Sequence, residues 1–276
     1  MKILGEDERR TAEQALRSYL PKSSKVYGAL FGMNRNKPST LEVVVDTWPD
    51  FKSIILRPDL KNERVSDYTK TVTLFCTDAQ VLKRMIAEEN AIDWTTYFMI
   101  GGFDITLAPM LKEVAASRGV NVRGFTLVHL LTLSDPHDLP DYRDSAENRI
   151  SSLNESHVDM VNKTWKFGGD EKGYKFITHL ISNFPTCCML DETGQPVSWM
   201  LLYDYCALGI LYTKPEHRGK GYAKALIASM SKKLHDEGYP VYCFIEEDND
   251  ASLRLFKNMG FTEDPSYRVA WFEFNY

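Results

Sequence analysis

The chain has 276 residues, 43% of them hydrophobic and 26% charged, with 38 acidic side chains against 33 basic ones for a formal net charge of -5. That length supports one large domain or two of ordinary size with real cores, and the acidic balance excludes a general attraction to nucleic acid. Five cysteines, an odd number with no CxxC or Cys/His spacing, point to a reduced, intracellular protein without a metal site.

The first residues read as a surface helix over 11–20, stopped by Pro21. They lack the apolar core of a secretory signal, and Glu6, Asp7, Glu8 and Glu13 depart from an acid-poor mitochondrial presequence. The compartment therefore stays open between mitochondrial and cytoplasmic. Short β-rich runs follow at 25–31, 41–45, 53–56 and 71–75, separated by turn formers such as Trp48-Pro49-Asp50. Helical stretches at 78–89 and 108–118 and an apolar strand at 122–131 complete an α+β (mixed α/β) half. No apolar run in the chain approaches the length of a membrane span.

Residues 134–148 are rich in Asp, Pro and charge, including Asp135-Pro136-His137-Asp138-Leu139-Pro140-Asp141, and lack apolar periodicity. They are the expected linker between a domain at 1–133 and a second at 149–276. In the second half the pattern predicts a short strand at 149–153, helices at 156–165 and 170–183, and a hairpin of strands 186–190 and 197–203. A strand at 207–213, a helix at 221–237, a strand at 241–245, a helix at 251–259 and a final strand at 267–274 follow.

Between the strand at 207–213 and its helix stands Arg218-Gly219-Lys220-Gly221-Tyr222-Ala223. A pyrophosphate needs several N–H donors converging on its oxygens, and two positions without Cβ let the backbone approach it. The helix that opens there adds unsatisfied amides and the positive end of its dipole. An isolated glycine-rich turn is equally well an ordinary strand-to-helix connection. Here it is followed by a further strand, Asn249, a short helix and Met259-Gly260-Phe261.

In that order the residues resemble the GNAT superfamily of acyl-CoA-dependent N-acyltransferases, whose phosphate loop reads Arg/Gln-x-x-Gly-x-Gly/Ala. Blocks on both sides of the linker are similar to the glycine N-acyltransferase family: Lys25-Val26-Tyr27-Gly28, Val45-Asp46-Thr47-Trp48-Pro49-Asp50-Phe51, Trp165-Lys166-Phe167-Gly168-Gly169 and Asn183-Phe184-Pro185-Thr186. The resemblance implies two GNAT-like domains, each a mixed twisted sheet flanked by helices, with the first degenerate and the second binding CoA. It implies acyl-CoA as co-substrate with no permanently bound cofactor, a small amino acid, glycine favoured, as acceptor, and no nucleic-acid partner; the oligomeric state stays open.

The same resemblance implies that backbone groups near Leu211, Tyr212 and Thr213 bond pantetheine and polarise the acyl carbonyl, with residues 218–223 on the pyrophosphate. The family's candidate base falls at Ala207, which accepts no proton, so Asp204, Glu246 and Glu247 are the alternatives. The acid that many GNAT enzymes carry as tyrosine is Phe256 here, expected as a ring beside the cofactor or in the core. Asn249 is expected either on pantetheine or as a helix cap. His217 reads as a surface residue and Cys187-Cys188 as buried packing. Two alternatives stay open: transfer to another amine, such as a lysine side chain or polyamine, or weakly catalytic CoA binding.

Overall fold

A computed structural model describes residues 1–59, 61, 70–136, 139 and 149–276. The described residues form two compact units, Met1–Leu130 with Asp264–Tyr276, and Leu131–Glu263. The first unit contains β1 (Lys2–Ile3), α1 (Glu6–Leu16), α2 (Ser24–Met33), β2 (Leu41–Val45), β3 (Ser53–Pro58) and β4 (Thr71–Cys76). It continues with α3 (Ala79–Ala87), β5 (Phe98–Asp104), α4 (Ala108–Ser117) and β6 (Val122–Thr132), of which residues 131 and 132 count with the second unit. The second contains β7 (Ile150–Ser151), α5 (Val158–Thr164), α6 (Glu171–Asn183), β8 (Thr186–Leu190), β9 (Pro196–Leu202) and β10 (Leu208–Thr213). It ends with α7 (Tyr222–Asp236), β11 (Tyr242–Glu246) and α8 (Asp250–Asn258). The chain then returns to the first unit as β12 (Val269–Phe274).

Strand order in the first unit is β1-β2-β3-β4-β5-β12-β6, so β12 fills the slot between β5 and β6, antiparallel to both. Its inward residues Ala270, Phe272 and Phe274 join the core formed with α3 and α4. The Phe274 ring stacks on Phe98 at 4.7 Å and meets Trp94 edge-on at 5.6 Å. The sequence boundary had grouped 149–276; residues 264–276 instead complete the sheet of the first unit. Most of the expected linker, residues 137, 138 and 140–148, lies outside the described residues.

The expected strand at 25–31 is helix α2, and the reason is burial. Every residue from Ser24 to Gly32 is buried, so the helical period leaves no polar stripe to read. The helix is clamped to α1 by the buried Glu13 carboxylate, which accepts Nδ2–H of Asn34 at 2.8 Å and Nη1–H of Arg35 at 3.1 Å. Strand β5 escaped the sequence reading because Gly101 and Gly102 interrupt its β pattern. A Cβ on Gly101 would lie 2.5 Å from Trp271 Nε1, and one on Gly102 would lie 2.2 Å from Lys25 Cδ. Glycine here lets a lysine stem and an indole pass over the strand.

The second unit orders its strands β11-β10-β9-β8-β7, with β8, β9 and β10 an antiparallel meander and β10–β11 parallel. Both units are mixed sheets flanked by helices, in the α+β class expected. Each unit holds one parallel pair that barely pairs: β4 and β5 only at Thr71↔Met99 and Val72↔Ile100, and β10 and β11 only at Leu208↔Cys243.

Candidate active site

Strand β10 leaves β11 because it is bulged. Its register with β9 runs Leu208↔Leu202, Gly209↔Leu201, then Tyr212↔Trp199 and Thr213↔Ser198. Ile210 and Leu211 thus oppose one residue, and Ile210 sits at φ 51, a left-handed backbone that a β-branched residue rarely adopts. Beyond the bulge β10 is pinned to β9: the buried Ser198 Oγ–H donates to Tyr212 O at 3.0 Å, with Thr213 Oγ1 2.8 Å away, and Trp199 stacks on Tyr212 at 5.1 Å. Strand β11 pairs with β10 at Leu208↔Cys243, so Leu211, Tyr212 and Thr213 lie where the two strands have parted.

The glycine turn lies between β10 and α7. Gly219 (φ 75) and Gly221 (φ 81) are both left-handed, and a Cβ on Gly219 would meet nothing within 4 Å. Gly221 is the N-cap of α7, and no side chain caps the first turn among the described residues. The amides of Tyr222, Ala223 and Lys224 are therefore available to an anion. Arg218 turns back, its Nε–H donating to Thr213 O at 3.1 Å, while Lys220 is exposed. The Tyr222 ring is buried beneath the turn, with Arg149 5.4 Å above it and donating to its hydroxyl at 3.2 Å.

The candidate acid–base groups lie on β11 and in the β9–β10 turn. Glu246, at the end of β11, is in an ion pair with Lys166 through Oε2, which leaves Oε1. Asp204 lies in the β9–β10 turn, closed by Tyr203 N–H donating to Ala207 O at 2.9 Å. Tyr203 lies within reach of both charges. Burial pushes its phenol up to about 12, Trp165 donates a hydrogen bond to it, and the charges of Asp204 and Glu246 both act on it. Its ring lies over Gly209, where a Cβ would come 2.1 Å from Cε2. Trp165, Phe176, Tyr203 and Tyr205 form a continuous stack with centroid spacings of 5.4, 6.3 and 5.0 Å, continued by Phe244 at 6.2 Å.

Lys166 and Trp165 are delivered by a compact turn. The buried Asn162 donates from Nδ2 to Asp170 O at 3.1 Å and accepts Gly169 N–H at 3.0 Å. A Cβ on Gly168 would strike Asn162 O at 2.3 Å. The quoted Trp165-Lys166-Phe167-Gly168-Gly169 block was the sequence signal for this turn, though it carried no hint of the partner Glu246.

Ala207 is 1% exposed, so the position expected for the base is packed as well as inert. Phe256 is buried, edge-on against Phe261 at 5.0 Å. Asn249 caps α8, its Oδ1 accepting Ser252 N–H at 3.1 Å. Cys187 and Cys188 are buried, and burial raises both thiols, Cys188 to about 11. Groups of His, Cys, Asp and Glu able to hold a metal are absent among the described residues.

Residues 1–185 match the family described as aralkyl acyl-CoA:amino acid N-acyltransferase. The chain belongs to this family. Residues 188–270 match the FR47-like protein family. A human glycine N-acyltransferase is 30% identical over 261 residues, covering 88% of each chain. A bovine glycine N-phenylacetyltransferase is 30% identical over 266 residues, covering 90% of each. Among solved structures, a Drosophila protein from structural genomics superposes with a TM-score of 0.75 at 19% identity, covering 100% of this chain and 99% of its own. A tandem GNAT protein from the clavulanic acid biosynthesis pathway superposes at 0.55 with 15% identity, covering 98% and 96%. Those two likenesses establish the fold, a tandem of GNAT units, and acyl-CoA is the co-substrate of such acyltransferases. No helix among the described residues is long and apolar enough to cross a membrane.

Proposed function

We propose that this member of the family transfers an aromatic or arylalkyl acyl group from acyl-CoA to the amino group of glycine or another small amino acid. The observation that carries it is the bulged β10, which parts from β11 and joins the stacked aromatic turn at Tyr203 and Tyr205 to an uncapped glycine turn. The pyrophosphate lies on the amides of 219–223 and pantetheine along Leu211, Tyr212 and Thr213, with its thioester carbonyl facing the bulge. The rings of Trp165, Phe176, Tyr203 and Tyr205 receive the acyl group. The human and bovine relatives named for glycine and phenylacetyl transfer support both halves of this reading.

Glu246 takes the ammonium proton through Oε1 while Lys166 holds its other oxygen, so the amine attacks the carbonyl as a neutral nucleophile. As the C–S bond breaks, the Tyr203 hydroxyl donates a proton to the departing sulfur and recovers one from the nitrogen of the tetrahedral intermediate, which leaves the neutral amide and the free thiol. In this reading Tyr203 takes over the part that tyrosine plays elsewhere in the superfamily and that Phe256 cannot play. Thiol release from a panel of acyl-CoAs crossed with amino acids, peptides and polyamines tests it. Release with phenylacetyl- or benzoyl-CoA that depends on one small amino acid is expected. Release only with peptides or polyamines moves the acceptor to another amine, and tight CoA binding without turnover marks a non-catalytic CoA-binding protein.

A further inference from the structure

The first unit repeats the diverging parallel pair without the phosphate end. Strands β4 and β5 are paired at two positions only and run on to Cys76 and Asp104. A cavity of about 440 Å³ opens between their ends, closed by residues 18–22 and Tyr267, all within the first unit. That volume falls among small-molecule sites, which span roughly 300–1,000 Å³.

Its chemistry differs from that of the glycine turn in the second unit. The helix that follows β4 is capped by Asp78, whose carboxylate accepts the N–H groups of Gln80 and Val81 at 2.9 and 3.3 Å. Those amides are spent and the helix end is negative, so a diphosphate is repelled where α7 would hold one. Asp104 adds a second carboxylate at the cavity. Its Oδ1 accepts Thr106 N–H at 2.9 Å and Oγ1–H at 2.7 Å, and Oδ2 has no hydrogen bond among the described residues. Burial, then the Asp104 charge, raises Cys76 to about 11 and raises the Tyr267 phenol as well, so both stay protonated. Lys22 is turned to the Tyr267 ring, its Nζ 5.3 Å from the centroid, and its charge acts on Asp264. Leu20, Pro21, Leu74, Phe75 and Leu107 supply apolar wall.

We propose that this cavity is a second ligand site, which binds a small primary amine with an aromatic or branched apolar body, its ammonium on Asp104 and its body against Phe75 and Leu107. The site goes beyond the acyl-transfer reading and is independent of CoA. Titration calorimetry of the full chain with 2-phenylethylamine, alone and with saturating CoA, tests it against phenylacetate, which has a similar body and the opposite charge. One equivalent of amine bound equally in both conditions, with phenylacetate at least tenfold weaker, is expected. Asp104→Asn keeps the oxygen that Thr106 uses, so it should weaken the amine at least tenfold and leave CoA affinity unchanged. Leu107→Trp fills the cavity and should abolish amine binding, which keeps the test open if Asp104→Asn fails to fold. No binding of the amine, equal binding of phenylacetate, unchanged affinity in a folded variant, or competition between amine and CoA would each overturn the proposal.

Discussion

The glycine turn proposed to hold the pyrophosphate rests on two residues, Gly219 and Gly221, whose left-handed backbone few side chains adopt cheaply. A valine at Gly221, φ 81, takes on a left-handed penalty of about 1–2 kcal/mol and puts a branched side chain beside the incoming pyrophosphate. Gly221→Val should weaken CoA more than tenfold by calorimetry while the chain stays folded; Gly219→Ala, in open space, should cost about 1 kcal/mol of strain and less affinity. Tyr203→Phe removes a hydroxyl and keeps the ring stack, so kcat should fall by roughly 10²- to 10⁴-fold, the range for a positioned acid, with CoA affinity unchanged. With the phenol near 12 the donor stays protonated through the ordinary range, so the wild-type kcat profile should show no alkaline limb below about pH 10. A limb near pH 8 would assign the acid to another group. The glycines were legible because their role is written in residue type. Glu246 was legible as a candidate base, but its meeting with Lys166 and Tyr203 was not, because it depends on three elements far apart in sequence.

At the scale of elements, the strands expected at 41–45, 71–75 and 186–190 were readable from β-branched and apolar runs between turns, as were the helices expected at 78–89 and 170–183, whose first residues, Asp78 and Asp170, are the N-caps of α3 and α6. Helix α2 was not readable, since a continuously buried segment shows no period and its valine and aromatics favour a strand reading. What makes it helical is tertiary: the Glu13 clamp and burial on all sides override local propensity. The α5–α6 turn is held similarly, by one side chain. Asn162→Ala removes an acceptor and a donor from buried backbone, and should cost about 2–3 kcal/mol in chemical denaturation. Because the same turn holds Trp165 and Lys166, the variant should also raise KM for aromatic acyl-CoA at temperatures where it remains folded. An unchanged KM would separate the turn from the acyl pocket.

For the whole molecule, the helix that follows β4 is capped by Asp78 whereas α7, which follows β10, has no side-chain cap among the described residues, and this predicts one CoA per chain at saturation. At a hundredfold excess over Kd, CoA should add about 2.7 kcal/mol of stability, read as a rise in Tm that Gly221→Val abolishes. The architecture of each half was visible in the sequence, whereas the partition between them was not. Strand β12 reads locally as an ordinary continuation of the second half, and nothing in Val269–Phe274 says which sheet it enters. A fragment of residues 1–133 should therefore be unfolded by circular dichroism, and the same fragment joined through a flexible linker to 264–276 should fold.

The placement of β12 also sets an order of events at the ribosome. Residues 1–130 are made first, but β5 and β6 face each other across an empty slot until Val269–Phe274 has been synthesised. The unit Leu131–Glu263 is complete before that moment. The half made second is thus the half that can finish first, reversing the usual N-to-C sequence of domain folding. Throughout that interval the nascent chain carries two open strand edges flanking an apolar core, the condition in which edge pairing with a neighbouring chain competes with folding. Translation pausing after residue 130 would lengthen that exposure, and faster elongation to residue 276 would shorten it.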